Sequence, residues 1–164
     1  MPADFLSRVC EILSAVASSH RDQVNDSDRA WTRDIKDHLC ALGQELGFDV
    51  SASGCQDADD GEWLFDLVWS QGMNDEIWAL PLVMECEWSL RPRDIAWDFG
   101  KLLVAKADVK LFVFHQPTLE AGTQVVGTLS RMIRAFRTTV PHEQYLLACY
   151  TWSERQFEYT TVVA

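Results

Sequence analysis

The chain is expected to be an α/β protein in which a mixed central β-sheet is flanked by helices. Three observations predict this. The apolar periodicity switches along the chain in the order α, α, β, β, β, α, β, α, β, β. Short polar connections separate the three central strand candidates, which favours an antiparallel meander. From Leu82 to His115 an apolar strand, a helix and a second apolar strand follow in succession, the pattern of a right-handed crossover. Such elements bury their apolar faces by packing helices on a sheet.

The first helix rests on Phe5, Leu6, Val9, Ile12, Leu13 and Val16, which repeat at helical spacing, and a polar stretch over residues 18–25 should follow as a loop. Ser27 has the chemistry of an N-cap with Asp28 in the first turn. Trp31, Ile35, Leu39, Leu42 and Leu46 then mark one helical face, and Gly47 supplies the stop. Strands are expected over residues 48–53, 62–70 and 80–88, with connections over 56–61 and 71–76. A helix over 94–107 turns Ile95, Phe99, Leu102 and Leu103 inward, with Asp94, Asp98 and Lys101 on a neighbouring face. An apolar strand over 109–115, a helix over 119–137 and two strands over 143–152 and 156–163 complete the order.

At 164 residues the chain should form a single domain spanning 1–164. No apolar run approaches a membrane span, and Asp4 and Glu11 interrupt the amino end where a signal peptide would sit, so a cytoplasmic protein is expected. The five cysteines are scattered without C-x-x-C spacing, which argues against a disulfide framework and a zinc knuckle. The net charge is −11, which ordinarily counts against nucleic-acid binding. Residues 91–137 nevertheless hold eight basic side chains against four acidic ones. That asymmetry permits a basic face on an acidic body.

Chemistry concentrates in the segment Leu82-Val83-Met84-Glu85-Cys86-Glu87-Trp88. Side chains in a strand alternate between faces, so Glu85 and Glu87 should emerge together. Two like charges in an apolar strand are costly unless a divalent metal ion, a lysine or a shared proton meets them. Asp66, expected in the middle of the 62–70 strand, could approach the pair across the meander. Three converging carboxylates suit Mg²⁺ or Mn²⁺, which take oxygen ligands. Lys101, one helix later, is the natural source of positive charge for a transition state.

This pattern resembles the PD-(D/E)XK superfamily of restriction-endonuclease-like nucleases. The family core runs αβββαβ and carries an aspartate in its second strand and an acidic-x-lysine triplet in its third. Asp66 and Glu85 match the acidic positions, and residues 28–115 match the core. An extra amino-terminal helix and a carboxyl-terminal helix with two strands would surround it. Two departures stand out. Phe65 replaces the motif's proline, and Glu87 stands where most relatives carry lysine. Asp98-Phe99-Gly100-Lys101 has the look of the variant whose lysine has moved to the following helix.

The resemblance implies a Mg²⁺- or Mn²⁺-dependent nuclease hydrolysing phosphodiester bonds, with DNA the expected substrate over RNA, or a degenerate descendant. Asp66 and Glu85 would hold metal, Glu87 would ligate metal or orient water, and Lys101 would stabilise the transition state. Arg91, Arg93, Arg131 and Arg134 are candidate phosphate contacts, although an arginine row on a helix is usually a solvated face. A homodimer or a protein partner is compatible with the family. The alternative is a non-catalytic acidic interaction protein, of inhibitor or immunity type, that keeps the fold.

Overall fold

The computed structural model describes residues 4–21, 27–54, 59–60, 63–73 and 76–164. The polar connections expected over 18–25, 56–61 and 71–76 lie partly outside them. The fold is mixed α/β, and the chain divides into two compact units, residues 1–81 and 82–164.

In the first unit α1 (Phe5–His20) packs on α2 (Asp28–Glu45). Ser27 caps α2, its side chain accepting a hydrogen bond from the Ala30 amide at 3.3 Å. Gly47 follows α2 with φ +82°, a left-handed conformation that glycine adopts without a Cβ penalty, and so ends the helix. The strands are β1 (Asp49–Ala52), the two-residue β2 (Asp59–Asp60) and β3 (Leu67–Met73). β1 runs parallel to β2 and antiparallel to β3, and β3 is hydrogen-bonded to β4 (Glu76–Glu87), whose residues 76–81 belong to this unit. Val9, Leu13, Ile35, Leu39, Leu67 and Trp69 are fully buried in its core. Trp69 stacks on Phe48 and its indole N–H donates to the Leu39 carbonyl at 3.1 Å, so this large ring is buried without a stranded donor.

The second unit continues β4 from Leu82 and adds α3 (Pro92–Val104), β5 (Val109–Gln116), α4 (Leu119–Ala135), β6 (Gln144–Thr151) and β7 (Gln156–Val163). β4, β5 and β6 are consecutive parallel neighbours joined through α3 and α4, and β7 closes the order antiparallel to β6. β5 is buried along nearly its whole length, the habit of a parallel strand covered on both faces. Phe99 of α3 meets Phe112 of β5 edge-on at 5.3 Å and anchors the helix to the sheet.

Differences from the sequence expectation are local. α3 begins at Pro92, whose fixed φ suits the first helical turn. β3 starts at Leu67 rather than at 62. Leu64 adopts φ +67° and breaks the extended run, leaving Trp63 and Phe65 as an isolated bridge. Asp66 therefore lies at a bend ahead of β3, half-buried, and not in mid-strand. Cys10, Cys86 and Cys149 are free thiols, whereas Cys40 is disulfide-bonded, which scattered spacing gave no reason to expect.

Candidate functional site

The carboxyl end of β4 and the exposed side of α3, both within the second unit, build the candidate site. Pro92 at the start of α3 and Asp94 in its first turn set the helix. From there Asp94, Asp98 and Lys101 fall at spacings of four and three, on one helical face. That face meets the strand where Glu85 and Glu87 emerge. Lys101 Nζ donates to Glu85 Oε2 at 3.0 Å and lies 2.8 Å from Asp98 Oδ1. Asp98 in turn faces Glu87, so that a proton on one carboxyl can be donated to the other. Both glutamates thus lie on one face, as alternation requires.

The loop after β4 holds the arrangement from the other side. The Ser89 amide donates to Glu87 Oε1 at 2.6 Å, and the Ser89 hydroxyl donates to Asp94 Oδ2 at 2.8 Å. His115, at the end of β5, is hydrogen-bonded to the Trp88 carbonyl at 2.6 Å and accepts the Trp152 indole N–H on Nδ1 at 2.6 Å. This fixes the segment that follows Glu87.

The electrostatics separate the carboxylates. The Glu85 side chain is only 3% exposed, and the Lys101 ammonium beside it offsets part of the cost of burying its charge. Burial alone would lower the Lys101 pKa, but hydrogen bonds to Asp98 and Glu85 and the charges of both hold it above the ordinary lysine value. Burial, then the hydrogen bond with Asp98, pushes Glu87 above the usual glutamate range, against the opposing Ser89 amide. Burial also works to raise Asp98, but hydrogen bonds with Glu87 and Lys101 outweigh it and hold Asp98 below its ordinary value. A proton entering this pair goes to Glu87 while Asp98 stays ionised. The charge demand of the alternating glutamates is therefore met by a lysine and by a shareable proton.

Beside the pair opens a cavity of about 320 Å³ lined by Glu87, Arg93, Asp94, Trp97 and Asp98. Trp97 is 74% exposed and Arg93 is exposed, so the rim offers a ring face and a guanidinium next to an acid–base pair.

Of the sequence candidates, Glu85, Glu87 and Lys101 are brought together. Asp66 lies in the first unit. Arg93 lines the cavity, whereas Arg91 is engaged by Asp94 at 2.7 Å. Arg131 and Arg134 are exposed on α4 and do not line it, and Arg131 donates to the Thr128 hydroxyl at 2.9 Å. Asp98 is the residue that sequence reasoning left out of the site, although its spacing from Lys101 was the signal.

Glu85, Glu87 and Asp98 have the hard oxygen donors that Mg²⁺ or Mn²⁺ prefers. Among the described residues, however, no group of three His, Cys, Asp or Glu side chains is arranged to hold a metal ion. Glu85 is turned to Lys101, and Glu87 to Ser89 and Asp98. No family model matches the chain, and neither a curated protein nor a solved structure matches it.

Proposed function

We propose that the cluster of Glu85, Glu87, Asp98 and Lys101 is a phosphodiester-hydrolysing site of restriction-endonuclease type, acting on nucleic acid. The observation that carries this assignment is Lys101 Nζ, 3.0 Å from Glu85 Oε2. It puts a helix-borne ammonium at the acidic strand position, where the displaced-lysine variant of the family would have it. The strand order supports the fold assignment: β1 antiparallel to β3, β3 beside β4, then α3 and a parallel β5, in keeping with an αβββαβ core.

The chain's own residues divide the work. Arg93 and Trp97 hold a phosphate and its neighbouring base at the cavity rim. Lys101 stabilises negative charge as it accumulates on the phosphoryl oxygens. Water adds to phosphorus as its proton passes to Glu87, ionised at the start of the cycle, while Asp98 stays ionised beside Lys101. The bond to the leaving oxygen breaks, and Glu87 returns the proton to that oxygen.

The test is cleavage of a labelled single-stranded oligonucleotide and a supercoiled plasmid, each with Mg²⁺, with Mn²⁺ and with chelator. Lys101→Met and Glu87→Gln should each lower the rate about 10²–10³-fold. If the wild-type protein leaves both substrates intact under all three conditions, the hydrolytic assignment fails.

A second assignment is favoured by the way Lys101 engages both Glu85 and Asp98. Its charge is answered within the fold, as in a non-catalytic acidic domain that binds a basic partner. That reading predicts intact nucleic acid together with salt-sensitive binding to a basic protein.

A further inference from the structure

The first unit contains a polar opening between α2 and the residues that follow β1. Arg29, Thr32, Arg33 and Lys36 of α2 meet Ser53 and Gly54 around a cavity of about 510 Å³. Spacings of three and four residues put the four helical positions on one face. Residues 1–81 carry only five basic side chains, Arg8, Arg21, Arg29, Arg33 and Lys36, and three of them line this one cavity. None of the lining residues is acidic. Arg29 and Arg33 are exposed, so their side chains are open to solvent. Arg33 Nε stands 4.0 Å from Asp34 Oδ1, too far for a hydrogen bond, and Asp34 Oδ2 is engaged by His20 at 2.8 Å. Lys36 differs from both arginines. It is only 5% exposed, a rare degree of burial for a lysine, and its Nζ donates to Ser53 Oγ at 2.7 Å. The ammonium is thus fixed against a residue that also lines the cavity. Like charges one helical turn apart repel, so Arg29 and Arg33 gain when an anion enters between them.

We propose that this cavity binds a small molecule carrying a diphosphate, whose oxygens take charge-assisted hydrogen bonds from Arg29 and Arg33 in the field of the Lys36 ammonium. The donors dictate the class. Guanidinium forks match the oxygens of phosphate groups, and two forks one turn apart suit two linked phosphates. Three positive side chains favour an anion of more than one charge, which a lone carboxylate does not supply. A buried ammonium acts through surroundings of low dielectric, where salt screens it less than a surface charge. The volume falls within the range of small-ligand sites and leaves room for a group esterified to the diphosphate. The site lies wholly in the first unit and is independent of the hydrolytic assignment.

The experiment is an NMR titration of the full chain with pyrophosphate, and with sulfate at matched ionic strength as the control for unspecific attraction. Pyrophosphate should give saturable shifts at the Nε–H signals of Arg29 and Arg33 and at the backbone amide of Gly54, and sulfate should bind more weakly. Arg29→Gln and Arg33→Gln should each weaken pyrophosphate about tenfold, the loss expected for a hydrogen bond to a charged group. Both positions are exposed, so the variants should melt as the wild type does. Arg29→Lys keeps the charge without the fork and should recover only part of the affinity. Adenosine diphosphate separates the two sources of this chemistry: its binding assigns a diphosphate ester, and its exclusion assigns free diphosphate. Shifts centred elsewhere, no saturation, pyrophosphate no tighter than sulfate, unchanged affinity in both glutamine variants, or full affinity in Arg29→Lys would each overturn the proposal. A single-stranded oligothymidylate that saturates the same signals more tightly than pyrophosphate would overturn it too, by assigning the cavity to a nucleic-acid backbone.

Discussion

Replacing Lys101 by Met strips the ammonium from a carboxylate that has almost no access to water. The separation from Glu85 is 3.0 Å, with side-chain exposures of 41% for Lys101 and 3% for Glu85. At an effective dielectric constant near 20, Coulomb's law gives roughly 5 kcal/mol for unit charges at this distance. The lysine end is open to solvent, and water admitted there recovers about half of that. The expected loss is about 2–3 kcal/mol, within reach of the cost of breaking a buried pair from one side. For a chain of this size it corresponds to a fall in Tm of roughly 4–12 °C. Urea denaturation followed by tryptophan fluorescence at pH 7.5 measures it directly. The double variant Glu85→Gln, Lys101→Met should regain most of the loss, because no charge is then left buried. A Lys101→Met protein within 0.5 kcal/mol of wild type, or a double variant no better than the single one, would refute the claim that Lys101 meets the charge of Glu85.

Glu87 gives a pH signature. Its folded pKa is raised, so its contribution to stability is complete below the ordinary glutamate value and is lost as pH rises through the folded value. Glu87→Gln keeps a neutral donor toward Asp98 at every pH, so thermal melts should match wild type at pH 4 and show a slightly higher Tm than wild type at pH 8. Lys110 is fully buried, with Nζ 2.8 Å from Glu143 Oε2 and 3.0 Å from the Tyr145 hydroxyl. Lys110→Met should cost about 3 kcal/mol by chemical denaturation, and Glu143→Gln in the same chain should return part of it. Burial pushes the Cys149 thiol up to about 12, so it should resist iodoacetamide at pH 8 in the folded protein and react only after denaturation, as mass spectrometry of the labelled peptide will show.

How far the site was legible follows from the range of each signal. Alternation within one strand is local, and it placed Glu85 and Glu87 on a common face. Helical spacing is local too, and it put Asp98 and Lys101 on one side of α3. That Asp98 would pair with Glu87 depends on how α3 lies over β4, which neither pattern encodes. Asp66 was misplaced for a related reason. The alternation of Trp63, Phe65, Leu67 and Trp69 continues through a left-handed Leu64, so the pattern looks like strand where the backbone is bent. The order of helices and principal strands was visible because polar connections punctuate it, although the two-residue β2 falls inside one of them.

The most direct measurement is a ¹³C NMR titration of the side-chain carboxyls of Glu87 and Asp98 in the wild-type protein between pH 3 and pH 9. Glu87 should titrate above its ordinary value and Asp98 below its own, and Lys101→Met should raise the midpoint of Asp98. Independent titrations of both at ordinary values, unchanged when Lys101 is removed, would contradict an account built on a lysine and a shareable proton.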